Sequence, residues 1–474
     1  MKELLITPLI GIILLILLPH KRYLYLVSLI TSVIIFLQSI KLYIILDKAT
    51  SSFQHLLVIP FSNINMLLGV DVISMVFIVL STFLIMVCIL ISYDSHKIQE
   101  LEYYVSLLFI NLFLILVFTV LDILGFYIFY EAVLIPVFYL IGVWGVRKQK
   151  ISAAMYFFFY TLLGSVLMLI SIIYIFALTG TTDYLLLTTF YISDELQKIL
   201  FIGFMASLAV KIPLYPFHVW LPLAHVEAPI VGSVLLAGIL IKLGSYGMLR
   251  FILPLMPYAT QYFSPFVFLL SILGVVYGSL ITLRQTDLKR IVAYSSVAHM
   301  GVVTLGIFSG SSEGLEGAMF TQLAHGVVSS GLFIIVGIIY ERFHTRIIRY
   351  YSGVATTMPV FTLCFFILTL SNMGVPGTSN FIGEILTLKG VMDTSKCTSV
   401  LACLGMILGA AYGLYMFNRV VFGSVSTYVS LAPRDATRRE TYIIGILTLL
   451  SILLGCFPYS AISIMHVTIS GWIV

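Results

Sequence analysis

The chain reads as one apolar run after another, each closed by a short cluster of polar or charged residues. A helix needs about 20 apolar residues to cross roughly 30 Å of hydrocarbon, and cutting the chain at its polar punctuation predicts about fourteen such helices. They fall at residues 4–18, 23–46, 66–93, 103–121, 123–146, 152–179 and 198–220, then at 229–250, 261–283, 288–308, 317–340, 356–391, 398–422 and 441–470. Most joining loops are short. The connections 47–65 and 180–197 are longer and polar enough to lie outside the membrane. No low-complexity stretch or interdomain linker divides the 474 residues, so the expectation is an all-α integral membrane protein, residues 1–474 forming a single polytopic domain.

Two of the runs are interrupted. Pro213 and Pro216 break the run 198–220, and Gly374, Pro376 and Gly377 sit in the middle of 356–391, in SNMGVPGTSNFIGE. Proline inside a helix removes a backbone hydrogen bond and clashes with the preceding turn. At membrane depth such backbone survives only where it is buried in protein or lines a cavity. Broken helices in corresponding positions are the sequence pointer to repeats of inverted topology, with transport sites at the breaks. A pair of ordinary proline kinks is the plainer alternative.

Composition narrows the class. The chain is 61% hydrophobic and 9% charged, against about 25% charged in soluble domains, so no large soluble domain is expected. The run Leu4 to Leu18 passes straight into further spans without an A-x-A pattern and reads as a retained first helix. Assigning loops alternately to two faces puts fifteen Lys and Arg on one: Lys21, Arg22, Lys97, Arg147, Lys148, Lys150, Arg284, Lys289, Arg290, Arg342, Arg346, Arg349, Arg434, Arg438 and Arg439. Seven fall on the other: Lys2, Lys41, Lys48, Lys198, Arg250, Lys389 and Lys396. The positive-inside rule makes the first face cytoplasm or matrix and puts both termini opposite. Cys88, Cys364, Cys397, Cys403 and Cys456 are scattered, with no C-x-x-C pair. That argues against an iron–sulfur, haem or zinc site in this chain. No phosphate-cradling glycine loop is present, so ATP is not the energy source.

Against this background six ionisable side chains stand out near mid-depth on six spans: Glu131, Lys211, Lys242, His299, His325 and Glu384. A charge at the centre of a bilayer helix costs roughly 2.5–3.5 kcal/mol on insertion scales. Desolvation disfavours the charged form of lysine and glutamate, and a neighbouring opposite charge restores it. A lysine whose partner glutamate moves can therefore load and release a proton, and histidine suits a relay near neutral pH. Ser295, Ser296, Thr321, Ser329 and Ser330 lie nearby to hold linking waters. The bland readings are a static ion pair for Glu131, Lys211 and Lys242, packing for either histidine, and a helix cap for Glu384. His218, His225 and Glu227 read as gate or interhelix contacts in a loop near one membrane surface; H-x-E resembles a metal fragment but lacks a third ligand. Asp287, Lys289 and Arg290 read as a solvated loop, and Gly405, Gly409 and Gly413 as a face for close helix packing.

The block LPLAHVEAPIVGSVLLAGILIKLGSYGMLR, with QTDLKRIVAYSSVAHMG, LAHGVVSSGLF and GVPGTSNFIGE, closely resembles the subunit 4 family of respiratory NADH:ubiquinone oxidoreductase (complex I), an antiporter-like membrane subunit. The likeness covers most of the chain after about residue 105; the first hundred residues are too generic to match by motif. The resemblance implies three N-terminal helices (about 1–102), two inverted five-helix repeats (103–250 and 261–422), each with one broken helix, and a C-terminal helix (441–474). It further implies Glu131 and Lys211 as a coupled ion pair, Lys242 as central relay, His299 and His325 continuing the path, and Glu384 as the terminal group. Related subunits carry lysine at that last position, so Glu384 favours subunit 4. The implied activity is proton pumping as a subunit of an NADH:ubiquinone reductase, with no cofactor, metal or redox chemistry in this chain. Flavin, iron–sulfur clusters and quinone would belong to partner subunits. Other antiporter-like subunits and membrane lipids would be its neighbours, nucleic acid would not, and the implied site is the mitochondrial inner membrane, or a bacterial plasma membrane. The alternative is a subunit of a multisubunit cation/proton antiporter sharing the same ancestral block.

Overall fold

The computed structural model describes residues 1–17, 23–61, 64–93, 99–430 and 434–471. The expected loop cations Lys21, Arg22 and Lys97 lie outside the described residues, as do the end of the first predicted span and the last three residues.

The chain opens with α1 (Lys2–Leu17) and α2 (Leu24–Ile45), then makes a hairpin of β1 (Gln54–Phe61) and β2 (Ile64–Val70), antiparallel with Leu57 opposite Leu68. The hairpin departs from the expected third span, whose first residues are β2 rather than helix. The helix starts only after Asp71, whose carboxylate accepts from the Ser74 N–H while the Ser74 hydroxyl accepts from the Asp71 N–H. That reciprocal cap fixes where α3 (Val72–Ile91) begins. α4 (Glu100–Thr119) follows as expected, but the fifth span divides at Val133 into α5 (Ile123–Ala132) and α6 (Leu134–Trp144), just past Glu131 and ahead of Pro136.

Then come α7 (Lys150–Thr179), α8 (Tyr184–Leu187), α9 (Asp194–Lys211) and α10 (Trp220–Glu227). The eighth span runs through α11 (Ile230–Leu235), a π-helical turn at Leu236–Leu240, α12 (Ile241–Gly247), a second π turn at Met248–Ile252 and α13 (Leu253–Leu255). α14 (Pro257–Arg284), α15 (Leu288–Phe308), α16 (Ser312–Phe343) and α17 (Val354–Thr357) lead to the second broken helix, α18 (Pro359–Asn372) and α19 (Ser379–Thr394). α20 (Lys396–Val421) and α21 (Thr427–Ser430) precede the last predicted span, which Pro458 divides into α22 (Arg438–Cys456) and α23 (Tyr459–Ser470).

Among the described residues eleven helical segments are long and apolar enough to cross a bilayer. The other three predicted spans are α1, the pair α9–α10 and the pair α18–α19; α1, α10, α18 and α19 are too short for that measure, and α9 carries Asp194, Glu195, Lys198 and Lys211. The centre is formed by the eighth span and α15, each 94% buried over its most apolar stretch, with α3 and α16; α2 is 28% buried and faces outward. α16 packs on α15, α19, α11, α18, α22 and α23, which makes it the hub.

Candidate functional site

The eighth span meets α16 through a contact that side-chain size dictates. A Cβ on Gly326 would lie 3.3 Å from the Gly238 carbonyl oxygen, so two glycines let the helices cross closely. Beside that crossing the Lys242 ammonium lies 3.0 Å from His325 Nδ1, and the Ser245 hydroxyl donates to Gln322 Oε1 at 2.5 Å. The π turn ends two residues before Lys242, and the ammonium also donates to the Ala237 carbonyl within that turn. Such π bulges recur at functional sites. Lys242 and His325 have no exposed surface at all.

His325 stacks obliquely against His299, ring centroids 5.5 Å apart, and His299 Nδ1 lies 2.9 Å from Glu384 Oε1. Glu384 belongs to the first turns of α19, just beyond the break. The break itself makes room for it: Gly374 takes φ +70°, and any side chain there would come within 2.8 Å of Glu384 Oε2. Four of the six candidates thus form one file, Lys242–His325–His299–Glu384, drawn from four helices. His299 Nε2, His325 Nε2 and Gln322 Nε2 keep hydrogen-bonding capacity unused by protein, which is the capacity that buried water satisfies.

The other two candidates form a second group. The Lys211 ammonium donates to the Tyr130 carbonyl at 2.9 Å and lies 3.4 Å from the centroid of the Tyr130 ring. Glu131 is next in sequence, yet among the described residues its carboxylate forms no ion pair with Lys211, and Oε1 is buried without a partner. Backbone carbonyl and aromatic face, not carboxylate, hold this cation. The break after Lys211 is closed by Trp220, whose indole N–H donates 2.9 Å to the Val210 carbonyl in the last turn of α9. Gly244 lets α12 approach that end: a Cβ there would be 2.6 Å from Ile212 Cγ1. Lys211 and Lys242 therefore sit on directly packed elements.

Three expectations need correction. His225 and Glu227 are on a second half-helix, α10, not in a surface loop, because helix resumes at Trp220, after the turn that follows Pro216. His225 is fully buried, stacked on Phe333 at 4.7 Å and 7°, with both ring nitrogens unpartnered; Glu227 Oε2 is likewise unpartnered. His218 lies in the break, stacked on Tyr215 at 5.4 Å. Asp287 and Lys289 are not solvated: they are 8% and 3% exposed, and only Arg290 points outward. Lys289 donates to the Ala228 carbonyl at 2.7 Å and Arg346 to the Val226 carbonyl at 2.5 Å, so two cations cap the C-terminal carbonyls of α10. Arg250, placed in a loop by hydropathy, is buried in an ion pair with Asp71 at 2.6 Å. Lys289 and Arg346 went unrecognised because their partners are backbone carbonyls far along the chain.

A family model described as NADH:quinone oxidoreductase/Mrp antiporter, transmembrane, matches residues 121–409. The chain is similar to NADH-ubiquinone oxidoreductase chain 4 of Marchantia polymorpha, 47% identical over 99% of this chain and 96% of the relative. The Metridium senile chain 4 is 52% identical over 82% of this chain and 79% of its own. Among solved structures, a chain of respiratory complex I from Thermus thermophilus with bound NADH superimposes with a TM-score of 0.89 at 28% identity, covering 99% of both chains. A chain of the Mrp complex from Dietzia sp. DQ12-45-1b gives 0.88 at 16% identity over 99% of this chain and 96% of that one, a likeness of fold alone.

Proposed function

The chain belongs to the NADH-ubiquinone oxidoreductase chain 4 family, and from that premise we propose that it is the subunit 4 proton channel of a respiratory NADH:quinone oxidoreductase. One observation carries the reading: four titratable side chains from four helices, all buried, stand in a single line from Lys242 to Glu384. Static ion pairing would not need two histidines between a lysine and a carboxylate.

Partner subunits with flavin, iron–sulfur clusters and quinone carry out the redox steps. They supply the energy, about 2.3 kcal/mol for each charge moved against 100 mV. In this chain the Lys211 ammonium rests on a carbonyl and a ring, neither of which takes its proton. Approach of the Glu131 carboxylate stabilises the ammonium; its withdrawal favours release towards Lys242. Lys242 then gives a proton to His325 Nδ1, its N–H bond breaking as the imidazole N–H forms. His325 then releases its Nε2 proton through a buried water to His299 Nε2, and His299 Nδ1 gives its own proton to Glu384 Oε1.

The face rich in Lys and Arg is the matrix side of the mitochondrial inner membrane, which puts both termini in the intermembrane space. The test uses the purified complex in proteoliposomes, supplied with NADH and a quinone. Glu131→Gln, Lys242→Ala and Glu384→Gln are expected to assemble yet pump fewer protons per electron. Wild-type stoichiometry in all three overturns the proposal. The fold shared with the Mrp complex makes a cation/proton antiporter the second reading. Sodium-dependent pH changes in vesicles without an NADH-oxidising partner favour that one.

A further inference from the structure

Beyond the line of four residues lies a chamber that the family assignment does not explain. A cavity of about 20 Å³ adjoins the His299–Glu384 pair, lined among others by Asn372, Gly405, Gly409 and Tyr412. A cavity needs about 10–15 Å³ of this kind to hold one water, and the water needs two to four polar partners. The walls supply them: Glu384, Asn372 at 4% exposure and Tyr412 at 2%. The Tyr412 hydroxyl stands at this wall, 3.8 Å from where a Cβ on Gly409 would lie.

The glycines of α20 separate into two roles here. A Cβ on Gly405 would lie 2.2 Å from Val275 Cγ1 and one on Gly413 2.6 Å from Met373 Cγ, so both are demanded by helix contact. Gly409 is different: a Cβ there meets only the Tyr412 oxygen, at 3.8 Å. Packing does not require glycine at 409, whereas an open chamber does.

We infer that this chamber holds a single water, oriented by the Tyr412 hydroxyl and the Asn372 amide, and that this water is the direct proton acceptor of Glu384. The carboxyl O–H bond breaks as an O–H bond forms on the water, leaving carboxylate and hydronium. Tyr412 keeps its own proton throughout and is a positioning residue. The inference rests on the proton-transfer reading of Glu384, and its test separates the two.

The test compares Tyr412→Phe, Gly409→Ala and Glu384→Gln in the assembled complex, reconstituted with NADH and quinone. Tyr412→Phe keeps the ring and removes the hydroxyl. Gly409→Ala adds a methyl that fits without a clash but takes up chamber volume. Each is expected to lower coupled turnover by about tenfold, as loss of a hydrogen bond to a charged group does, and to shift the pH at which turnover is half-maximal. An effect on packing alone would scale turnover equally at every pH, and that result overturns the positioning role. Wild-type pumping and pH profile in both, with Glu384→Gln impaired, removes the water and leaves the terminal carboxylate. If Glu384→Gln also pumps normally, the proton-path reading itself falls.

Discussion

Each half of this chain has a membrane helix broken by proline, or by proline and glycine, with an ionisable residue beside the break, but the two charges are held in opposite ways. In the first half the Lys211 ammonium ends on the Tyr130 carbonyl and ring, groups that cannot carry its proton away. In the second half Glu384 ends on the His299 imidazole, which lies against a second imidazole, His325, that in turn meets Lys242. Under the proposed proton path the first break would store a proton until something moves, while the second would pass it along. A membrane that penalises every buried charge tolerates both arrangements, for different reasons. A carbonyl and a ring face stabilise a fixed cation, whereas the file lets one charge be shared among several groups.

The sharpest break of this contrast is Lys211→Ala. It removes the stored proton, and coupled turnover is expected to fall by about 100-fold or more, the contribution of a general acid–base group. NADH oxidation by a soluble acceptor, measured in the same membranes, should stay normal; unchanged proton pumping would erase the distinction between the halves. Glu384→Gln is next, because the file keeps three members: a drop of about tenfold to 100-fold matches loss of a charge-assisted hydrogen bond. The companion double variant with His299→Gln should cost far less than the sum of the singles, since both act on one transfer. Additive losses would show that the two residues work separately.

A smaller effect should come from the helix crossing. Gly326→Ala puts a methyl 2.8 Å from Leu80 Cδ2 and 3.3 Å from the Gly238 carbonyl, and overpacking of this kind costs about 1–3 kcal/mol. Lengthening the Lys242–His325 contact should slow turnover while leaving Lys211 unaffected, as a thermal-unfolding and pumping comparison would reveal. Smallest of all is Tyr130→Leu. It deletes the ring face but not the carbonyl, and the expected loss is about 0.5–2 kcal/mol of cation stabilisation. A loss as large as that of Lys211→Ala would mean the ring, not the carbonyl, holds the proton.

Much of the site was legible before any coordinates. An ionisable residue in an apolar run costs enough to be noticed one residue at a time, so Glu131, Lys211, Lys242, His299, His325 and Glu384 stand out from local context alone. The proline and glycine breaks were legible for the same reason, since both residues act on their own backbone. Less legible was the second half-helix carrying His225, because Pro222 and the dense polar residues of HVWLPLAHVE imitate a loop. The β-hairpin was obscured in the opposite sense: LLVIPF and NMLLGV are apolar enough to pass for membrane.

The sequence by itself therefore determined that this is a membrane chain, where two of its helices break and which side chains are too polar for their surroundings. Those properties follow from the transfer energy and backbone chemistry of residues taken singly or with near neighbours. Only the tertiary structure decided that Lys211 rests on Tyr130 rather than on Glu131, that Lys289 and Arg346 cap a half-helix some 60 and 120 residues away, and that His299 bridges His325 to Glu384. Partners are chosen by which helices glycine and alanine allow to touch, and that choice is made between segments far apart in the chain.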